Sequence, residues 1–227
     1  MDETLPERRR SKLYGRRKGP RLSQHQASLF ETLLPHFALS LAEGRDPRSY
    51  FAADIGEVWL EVGFGGGEHL LWQAHHHPDV GLIGAEPYEM GVAKLLSKMA
   101  EPLANIRIYQ GDARDIIEAM PDESLSRVFI LFPDPWPKTR HHKRRFIQTE
   151  MLDALARVMK SGAELRFASD DSPYVSWTLE RVLAHPAFEW TAAGPDDWKA
   201  RPADWPATRY EEKALHGVPA FLKFVRI

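Results

Sequence analysis

The chain has 227 residues, 43% hydrophobic and 27% charged, a globular rather than a disordered composition. It has no cysteine, which excludes a disulfide scaffold, a thiolate metal site and a cysteine nucleophile together. The net charge of −2 conceals a division: residues 1–25 carry eight Lys/Arg against three acids, and the rest carries 22 against 29. A basic arm on an acidic body suits a polyanionic partner, although a solubilising arm would look the same. The first residues, MDETLPERRR, have no apolar stretch behind them, so no secretory signal is expected. No apolar run approaches the roughly 18 residues that cross a bilayer. The expectation is a soluble, cytoplasmic protein without membrane contact.

In chain order, residues 1–24 read as a flexible basic tail, rich in Arg, Lys, Gly and Pro. From Gln26 to Leu41, Leu29, Phe30, Leu33, Leu34, Phe37 and Leu41 recur at helical spacing, and a loop follows over 43–56. Strand and helix then alternate. Val58–Val62, Gly81–Ala85, Ile106–Tyr109, Arg127–Phe132 and Ala163–Ala168 read as strands. Glu68–His76, Met90–Met99, Arg114–Met120, Arg144–Met159 and Pro173–Ala184 read as the helices between and after them. Phe188–Thr191 and Phe221–Ile227 read as two last strands. Apolar strands alternating with amphipathic helices predict an α/β fold. It is a doubly wound, Rossmann-like sheet of about seven mostly parallel strands, covered on both faces, in one domain over 25–227. Ligands of such sheets bind outside the carboxyl ends of the strands.

The residues at those ends are specific. The first strand runs Glu61-Val62-Gly63-Phe64-Gly65-Gly66-Gly67-Glu68. Glycines allow a tight turn and close approach of a ligand, although a turn alone also needs them. A dinucleotide fingerprint fails at Glu68, and Glu61 adds a second negative charge. A ligand with cationic ends, such as the sulfonium and ammonium of S-adenosylmethionine, fits better than a diphosphate. Glu86, after the second strand, stands where a ribose hydroxyl pair is gripped. Asp112, after the third, can accept from an adenine amino group or cap the next helix. The fourth strand runs into Pro133-Asp134-Pro135-Trp136-Pro137-Lys138, whose three prolines predict a rigid, extended shelf for one carboxylate and one indole. Residues 138–145 then hold five Lys/Arg, a run suited to phosphates. Ser169-Asp170-Asp171 closes the fifth strand, where Ser172-Pro173 also invites a helix cap. Trp190, Trp198 and Trp205 read as packing, and His75-His76-His77 as a helix end before Pro78 rather than a metal site.

Five of these features together resemble the bacterial tRNA (guanine-N7-)-methyltransferases: Glu-x-Gly-x-Gly-x-Gly from Glu61, Glu86-Pro87, Gly111-Asp112-Ala113, the block Pro133 to Arg145, and Thr208-x-x-Glu211. The resemblance spans about residues 20–227. It implies a class I methyltransferase fold, S-adenosylmethionine as donor without a metal, and tRNA as partner with the variable-loop guanosine at position forty-six as target. Carried onto this chain, Glu61, Gly63, Gly65, Gly67, Glu86, Asp112, Ala113 and Asp134 are expected at the donor. Lys138, Asp170, Thr208, Arg209, Tyr210 and Glu211 are expected at the substrate. Arg140, His141, His142, Lys143, Arg144 and Arg145 are expected at RNA. One departure is that Asp171 follows Asp170, where the family usually has an aromatic residue. No obligatory protein partner is implied.

Guanine N7 carries a free in-plane lone pair, so no base must remove a proton before attack on the methyl group. Alignment then dominates, and Asp134 is the expected catalytic residue: it could accept from the guanine edge or from the donor's ammonium end, and it favours the cationic purine product. The competing readings are methylation of another RNA or of a protein, a non-catalytic RNA-binding module, and an NAD-dependent oxidoreductase. The intact strand-end acids disfavour the binding module. Glu68 and the basic run disfavour the oxidoreductase.

Overall fold

The computed structural model describes residues 15, 19–52, 54–99, 103–207, 211 and 217–227. Helix α1 (Gln24–Thr32) begins at a capping box: the Ser23 hydroxyl accepts from the Gln26 backbone, and the Gln26 side chain accepts from the Ser23 backbone. The apolar spacing continues to Leu41, yet the helix breaks and a short α2 (Leu34–Phe37) follows, with Pro35 in its first turn. Pro35 lacks the N–H that an unbroken helix requires there. The single helix expected over 26–41 is corrected accordingly.

Strand and helix then alternate as the periodicity predicts: β1 (Glu57–Val62), α3 (Glu68–His76), β2 (Val80–Ala85), α4 (Glu89–Lys98), β3 (Ile106–Tyr109), α5 (Ala113–Ala119) and β4 (Leu125–Leu131). A 3-10 helix (Thr139–Arg144) precedes α6 (Thr149–Val158), so the helix expected from Arg144 starts five residues later. Next come β5 (Met159–Ser169), α7 (Ser172–Leu183), β6 (Phe188–Trp190), an unexpected short α8 (Asp196–Lys199) and β7 (Ala220–Arg226). β5 begins four residues before the expected Ala163. Leu125 pairs with Met159 and Arg127 with Glu164, so the extra residues between them bulge out of the ladder. Gly162, at φ +80°, takes the backbone conformation that the bulge requires.

The seven strands form one sheet in the order β3-β2-β1-β4-β5-β7-β6. The first five pair in parallel, and β7 runs antiparallel to both β5 and β6. Val62 pairs with Ala85 and with Ile130, and Leu131 pairs with Ala168. This register delivers Gly63, Glu86, Phe132 and Ser169 to one edge. Successive side chains enter opposite cores: Val58 and Leu60 on one face, Trp59 on the other, and likewise Val128 and Ile130 against Phe129. Burial of each such side chain contributes about 1.5–3 kcal/mol, so the central strands form a stiff base for the loops at their ends.

Candidate active site

A cavity of about 410 Å³ opens at that edge, lined by the turn after β1, the residues after β2, the start of α5 and the segment after β4. A second cavity, of about 610 Å³, lies between the 191–205 segment and β7 and contains none of the strand-end acids. The chemistry gathers in the first.

The turn after β1 is made by backbone. Gly63, Gly65 and Gly67 all have positive φ, at +71°, +56° and +76°. A Cβ on Gly67, which opens α3, would lie 2.3 Å from the Leu95 side chain. Close packing and conformation therefore both demand glycine there. Glu86 ties this turn to β2: its Oε2 accepts from Gly65 N–H at 2.7 Å and its Oε1 from Tyr88 N–H at 2.8 Å. Burial raises its pKa, opposed by these two amide bonds, and the negative charges of Asp134 and Glu61 raise it further. Each oxygen retains a second lone pair for an incoming hydroxyl. Asp112 caps α5 through Arg114 N–H at 3.0 Å and pairs with the Arg114 guanidinium at 3.0 Å, while lining the cavity beside Ala113. Cap and cavity wall are thus one side chain.

Asp134 stands on the shelf after β4. The shelf is bent at both ends, because Phe132 and Trp136 have φ of +50° and +47°. Non-glycine residues pay about 1–3 kcal/mol each for such conformations, and surrounding structure must hold them. Phe132 N–H donates to Ala168 O at 2.8 Å. Arg145 Nε donates to Pro135 O at 2.8 Å, and its guanidinium lies over Tyr174 and Trp177 at 4.9 and 5.0 Å. The Arg144 guanidinium lies over the Trp136 indole at 4.9 Å. The shelf is therefore fixed by arginines as well as by prolines. Asp134 reaches solvent at the mouth of the cavity, yet the surrounding protein desolvates it enough to raise its pKa. With Glu86 and Asp112 it makes an acid-lined cavity, edged by Lys94 and Arg114.

Of the basic run, Lys138, Arg140 and Lys143 are exposed, and His141, His142 and Arg144 are half-buried. Slight desolvation, then the cations of Arg144, Arg140, Lys138 and Lys143, holds His141 below the ordinary histidine pKa. Arg145 departs from the expected RNA contact: it is 1% exposed and spent on the shelf. Glu61 departs as well. It lies 3% exposed on the opposite face of β1 from Leu60 and Val62, does not line the cavity, and binds His69 at 2.8 Å. Glu68 faces Lys98, which also donates to Gly66 O, so its charge is answered within the protein and does not confront a ligand. Gly67 shapes the turn without lining the cavity, whereas Gly63 and Gly65 line it.

On the far side, Asp171 takes the α7 cap, accepting from Tyr174 N–H at 2.8 Å, which relieves Asp170 of that role. Asp170 is half-buried, and a Cβ on Gly217 would lie 3.0 Å from its carbonyl, so the segment entering β7 passes against it. Glu211 Oε1 lies 3.7 Å from Arg201 Nε. Thr208, Arg209 and Tyr210 lie outside the described residues, as does most of the basic tail. The tail's Gly15 lines the cavity, where its Cβ position is 3.8 Å from Asp134 Oδ2. Gly91 was missed by sequence reasoning. A Cβ there would lie 2.6 Å from Gly65 O and 2.9 Å from Glu86 Cγ. A lone glycine inside a helical pattern was the available signal.

Among the described residues no group of three or more His, Asp or Glu stands ready for a metal ion, and no helix is long and apolar enough to cross a membrane. Residues 56–220 match a family model described as "Putative methyltransferase". The chain is similar to the tRNA (guanine-N(7)-)-methyltransferases of Rhodospirillum rubrum (53% identity, covering 95% of this chain and 88% of the relative), Paramagnetospirillum magneticum (50%, 96% and 93%) and Brucella anthropi (45%, 99% and 99%). In fold it is similar to the 16S rRNA methyltransferase KamB, with a TM-score of 0.57 at 16% identity over 83% of this chain and 97% of that one. The sheet order, the cavity at its carboxyl edge and these likenesses converge: the chain belongs to the tRNA (guanine-N7-)-methyltransferase family, on the class I methyltransferase fold.

Proposed function

We propose that this protein transfers a methyl group from S-adenosylmethionine to guanine N7 of tRNA, at the variable-loop guanosine forty-six, in the cytoplasm and without an obligatory protein partner. The observation that carries the reading is the meeting of Glu86, Asp112 and Asp134 in one cavity, directly followed in the chain by exposed Lys138, Arg140 and Lys143. Residues 25–227 would form the catalytic domain and residues 1–24 an RNA-contacting arm.

The residues fit this donor. An acid-lined wall suits its two cationic centres, and Glu86, with a lone pair remaining on each oxygen, suits a vicinal diol. When bound, S-adenosylmethionine supplies an electrophilic methyl group on sulfur. Glu86 would orient the ribose end, Asp112 the adenine edge, and the turn at Gly63 and Gly65 would allow close backbone approach. Asp134 removes no proton, because N7 attacks through its own lone pair. Its carboxylate faces the purine as the latter gains positive charge, at the mouth of the cavity where the surrounding protein raises its pKa and a fixed charge counts more than in bulk water. The Trp136 indole beside it offers a flat wall for a base. Positioning of this kind contributes on the order of 7–11 kcal/mol. Lys138, Asp170 and Glu211 are assigned to the substrate, and Arg140, Lys143 and Arg144 to the RNA backbone.

The test is incubation with methyl-labelled donor and unmodified tRNA, followed by mapping of the label. The reading expects 7-methylguanine at position forty-six. Label on another base, on another RNA only, or on protein refutes it.

A further inference from the structure

Helix α7 lines no part of the donor cavity, yet it adjoins the basic run. From Pro135 to Thr149 the chain carries five Lys/Arg and no acid. Trp177, half-buried on α7, is fixed against the end of this stretch: its Nε1–H donates to Ile147 O at 2.8 Å. The His142 ring meets the indole edge-on at 5.2 Å, and the Arg145 guanidinium lies 5.0 Å from it. A third basic group comes from α7 itself. The Arg181 guanidinium lies 3.1 Å from the centre of the same indole, and its Nη1 donates to Trp177 O at 3.2 Å. One indole therefore joins α7 to the basic run.

The charges around it are not balanced within the protein. Arg181 is near enough to Arg145 for the two cations to oppose each other. Glu180 Oε2 stands 3.7 Å from Arg181 Nη1, beyond hydrogen-bond reach, and its side chain is 75% exposed, so solvent screens the pair. The Arg181 side chain is itself 26% exposed, and its Nε and Nη2 make no hydrogen bond among the described residues. A cation in the last turn of a helix also answers the carbonyls there, and Arg181 occupies that turn. That role needs no indole under the guanidinium, and it does not account for a second arginine on the same ring. A guanidinium laid on an aromatic face is already oriented. It keeps its planar edge of donors free and loses less side-chain freedom on binding than a mobile cation. The group that such an edge matches, and that relieves the repulsion between the two arginines, is a phosphate.

We propose that the RNA-contacting surface continues from the 3-10 helix onto α7, where Arg181, held on the Trp177 indole, takes a phosphate of the tRNA backbone. The proposal rests on the reading of this protein as a tRNA methyltransferase and extends its footprint to an element that the family resemblance leaves without a role.

Three variants of the full chain test it, with unmodified tRNA titrated at several salt concentrations. Arg181→Gln should weaken tRNA binding about five- to tenfold at about 0.1 M salt and lower the log–log salt slope by about one unit, the contribution of one phosphate. Arg181→Lys keeps the charge and gives up the planar edge, so its slope should stay at the wild-type value. Glu180→Gln removes the acid beside Arg181 and should tighten binding about two- to threefold. The opposite sign separates charge from packing, because a purely structural α7 gives no change or a loss in both glutamine variants. Wild-type affinity and slope in Arg181→Gln overturn the proposal, and so does a Glu180→Gln variant that binds as weakly as Arg181→Gln. Affinity for S-adenosylhomocysteine, by calorimetry, should stay within about twofold of the wild type in all three. A parallel loss of that affinity in Arg181→Gln would mean a damaged fold, and Glu180→Gln then decides alone. Wild-type protein that binds tRNA without methylating it removes the parent reading and leaves these comparisons valid, whereas wild-type protein that binds no tRNA overturns both.

Discussion

The turn after β1 and the shelf after β4 face each other across one cavity, and both use left-handed backbone. The turn does so at Gly63, Gly65 and Gly67, where it is cheap. The shelf does so at Phe132 and Trp136, where it is not, and it needs Arg145, Arg144 and the Ala168 carbonyl to hold it. The difference separates two tasks. In the proposed function the donor side is a backbone surface that clears space and is drawn together by one acid, Glu86, and the acceptor side spends conformational energy to present particular side chains, Asp134 and Trp136.

The largest effect is expected on the acceptor side. Asp134→Ala should lower the single-turnover methylation rate by about a hundredfold or more, the scale seen when one preorganised charge is removed from a reacting centre. Folding and tRNA binding should survive, because the prolines and arginines hold the shelf. Near-wild-type turnover at saturating tRNA and donor would move the central role to Asp170 or Glu211.

Two cations five residues apart sharpen the same side. Arg145→Met removes a charged donor from the half-buried Pro135 carbonyl and should cost about 1.5–3 kcal/mol in urea unfolding, with turnover reduced and tRNA affinity little changed. Arg140→Ala, at an exposed position, should do the reverse: weaker tRNA binding with a lower salt slope, and unchanged stability. Identical profiles for the two variants would dissolve the distinction between brace and RNA contact.

On the donor side, Gly91→Ala isolates close approach. Alanine is the better helix former, so propensity alone would stabilise α4 by about 0.5–1 kcal/mol. The added Cβ would instead press on Gly65 O and Glu86 Cγ, and overpacking typically costs about 1–3 kcal/mol. Donor affinity should therefore fall by about tenfold, measured by calorimetry with S-adenosylhomocysteine. An unchanged affinity would mean that the turn yields without consequence.

The acids of the two sides share a pH signature. Burial lifts the carboxyls of Glu86 and Asp134 above the ordinary 4.5 and 3.8, with mutual repulsion adding to the Glu86 shift. The folded protein then holds these protons more tightly than the unfolded chain. Folding stability should thus fall as pH rises from the ordinary values through the raised ones, and remain lower above them. Affinity for a cationic donor runs the other way, falling as pH drops through the raised values. Urea unfolding and donor calorimetry over about pH 4 to 8 test both signs. In Glu86→Gln and Asp134→Asn the stability slope should flatten.

The smallest effect concerns the tail. Removal of residues 1–14 takes away Arg8, Arg9, Arg10 and Lys12 but keeps Gly15 beside Asp134. The salt dependence of tRNA binding should become shallower, by about one log–log unit for each phosphate no longer neutralised, with donor affinity unmoved. An unaltered slope would make the segment a solubilising arm.

The strands, their order of appearance and the acids at their ends were legible because apolar runs and turn residues are local signals. What was not legible depends on distant partners. Arg145 looks like its basic neighbours in the chain, and its bond to the Pro135 carbonyl, with Tyr174 and Trp177 about thirty residues on beneath its guanidinium, makes it a brace. Glu61 carried a partial signal: strand alternation sets it on the face of Trp59, away from Leu60 and Val62, and His69 follows one helix start later. The β5 bulge was hidden because a glycine-containing turn and a glycine-containing bulge share the same residues.

The proposed function requires the acceptor side to work through the charge of Asp134 rather than its shape. The single-turnover rate of Asp134→Asn, with tRNA and donor both saturating, tests this most directly. Asparagine keeps the size and a hydrogen-bonding oxygen but cannot balance a developing purinium, so the rate should be nearly as low as that of Asp134→Ala. Recovery of most of the wild-type rate by asparagine would contradict the claim and leave positioning alone as the contribution of the shelf.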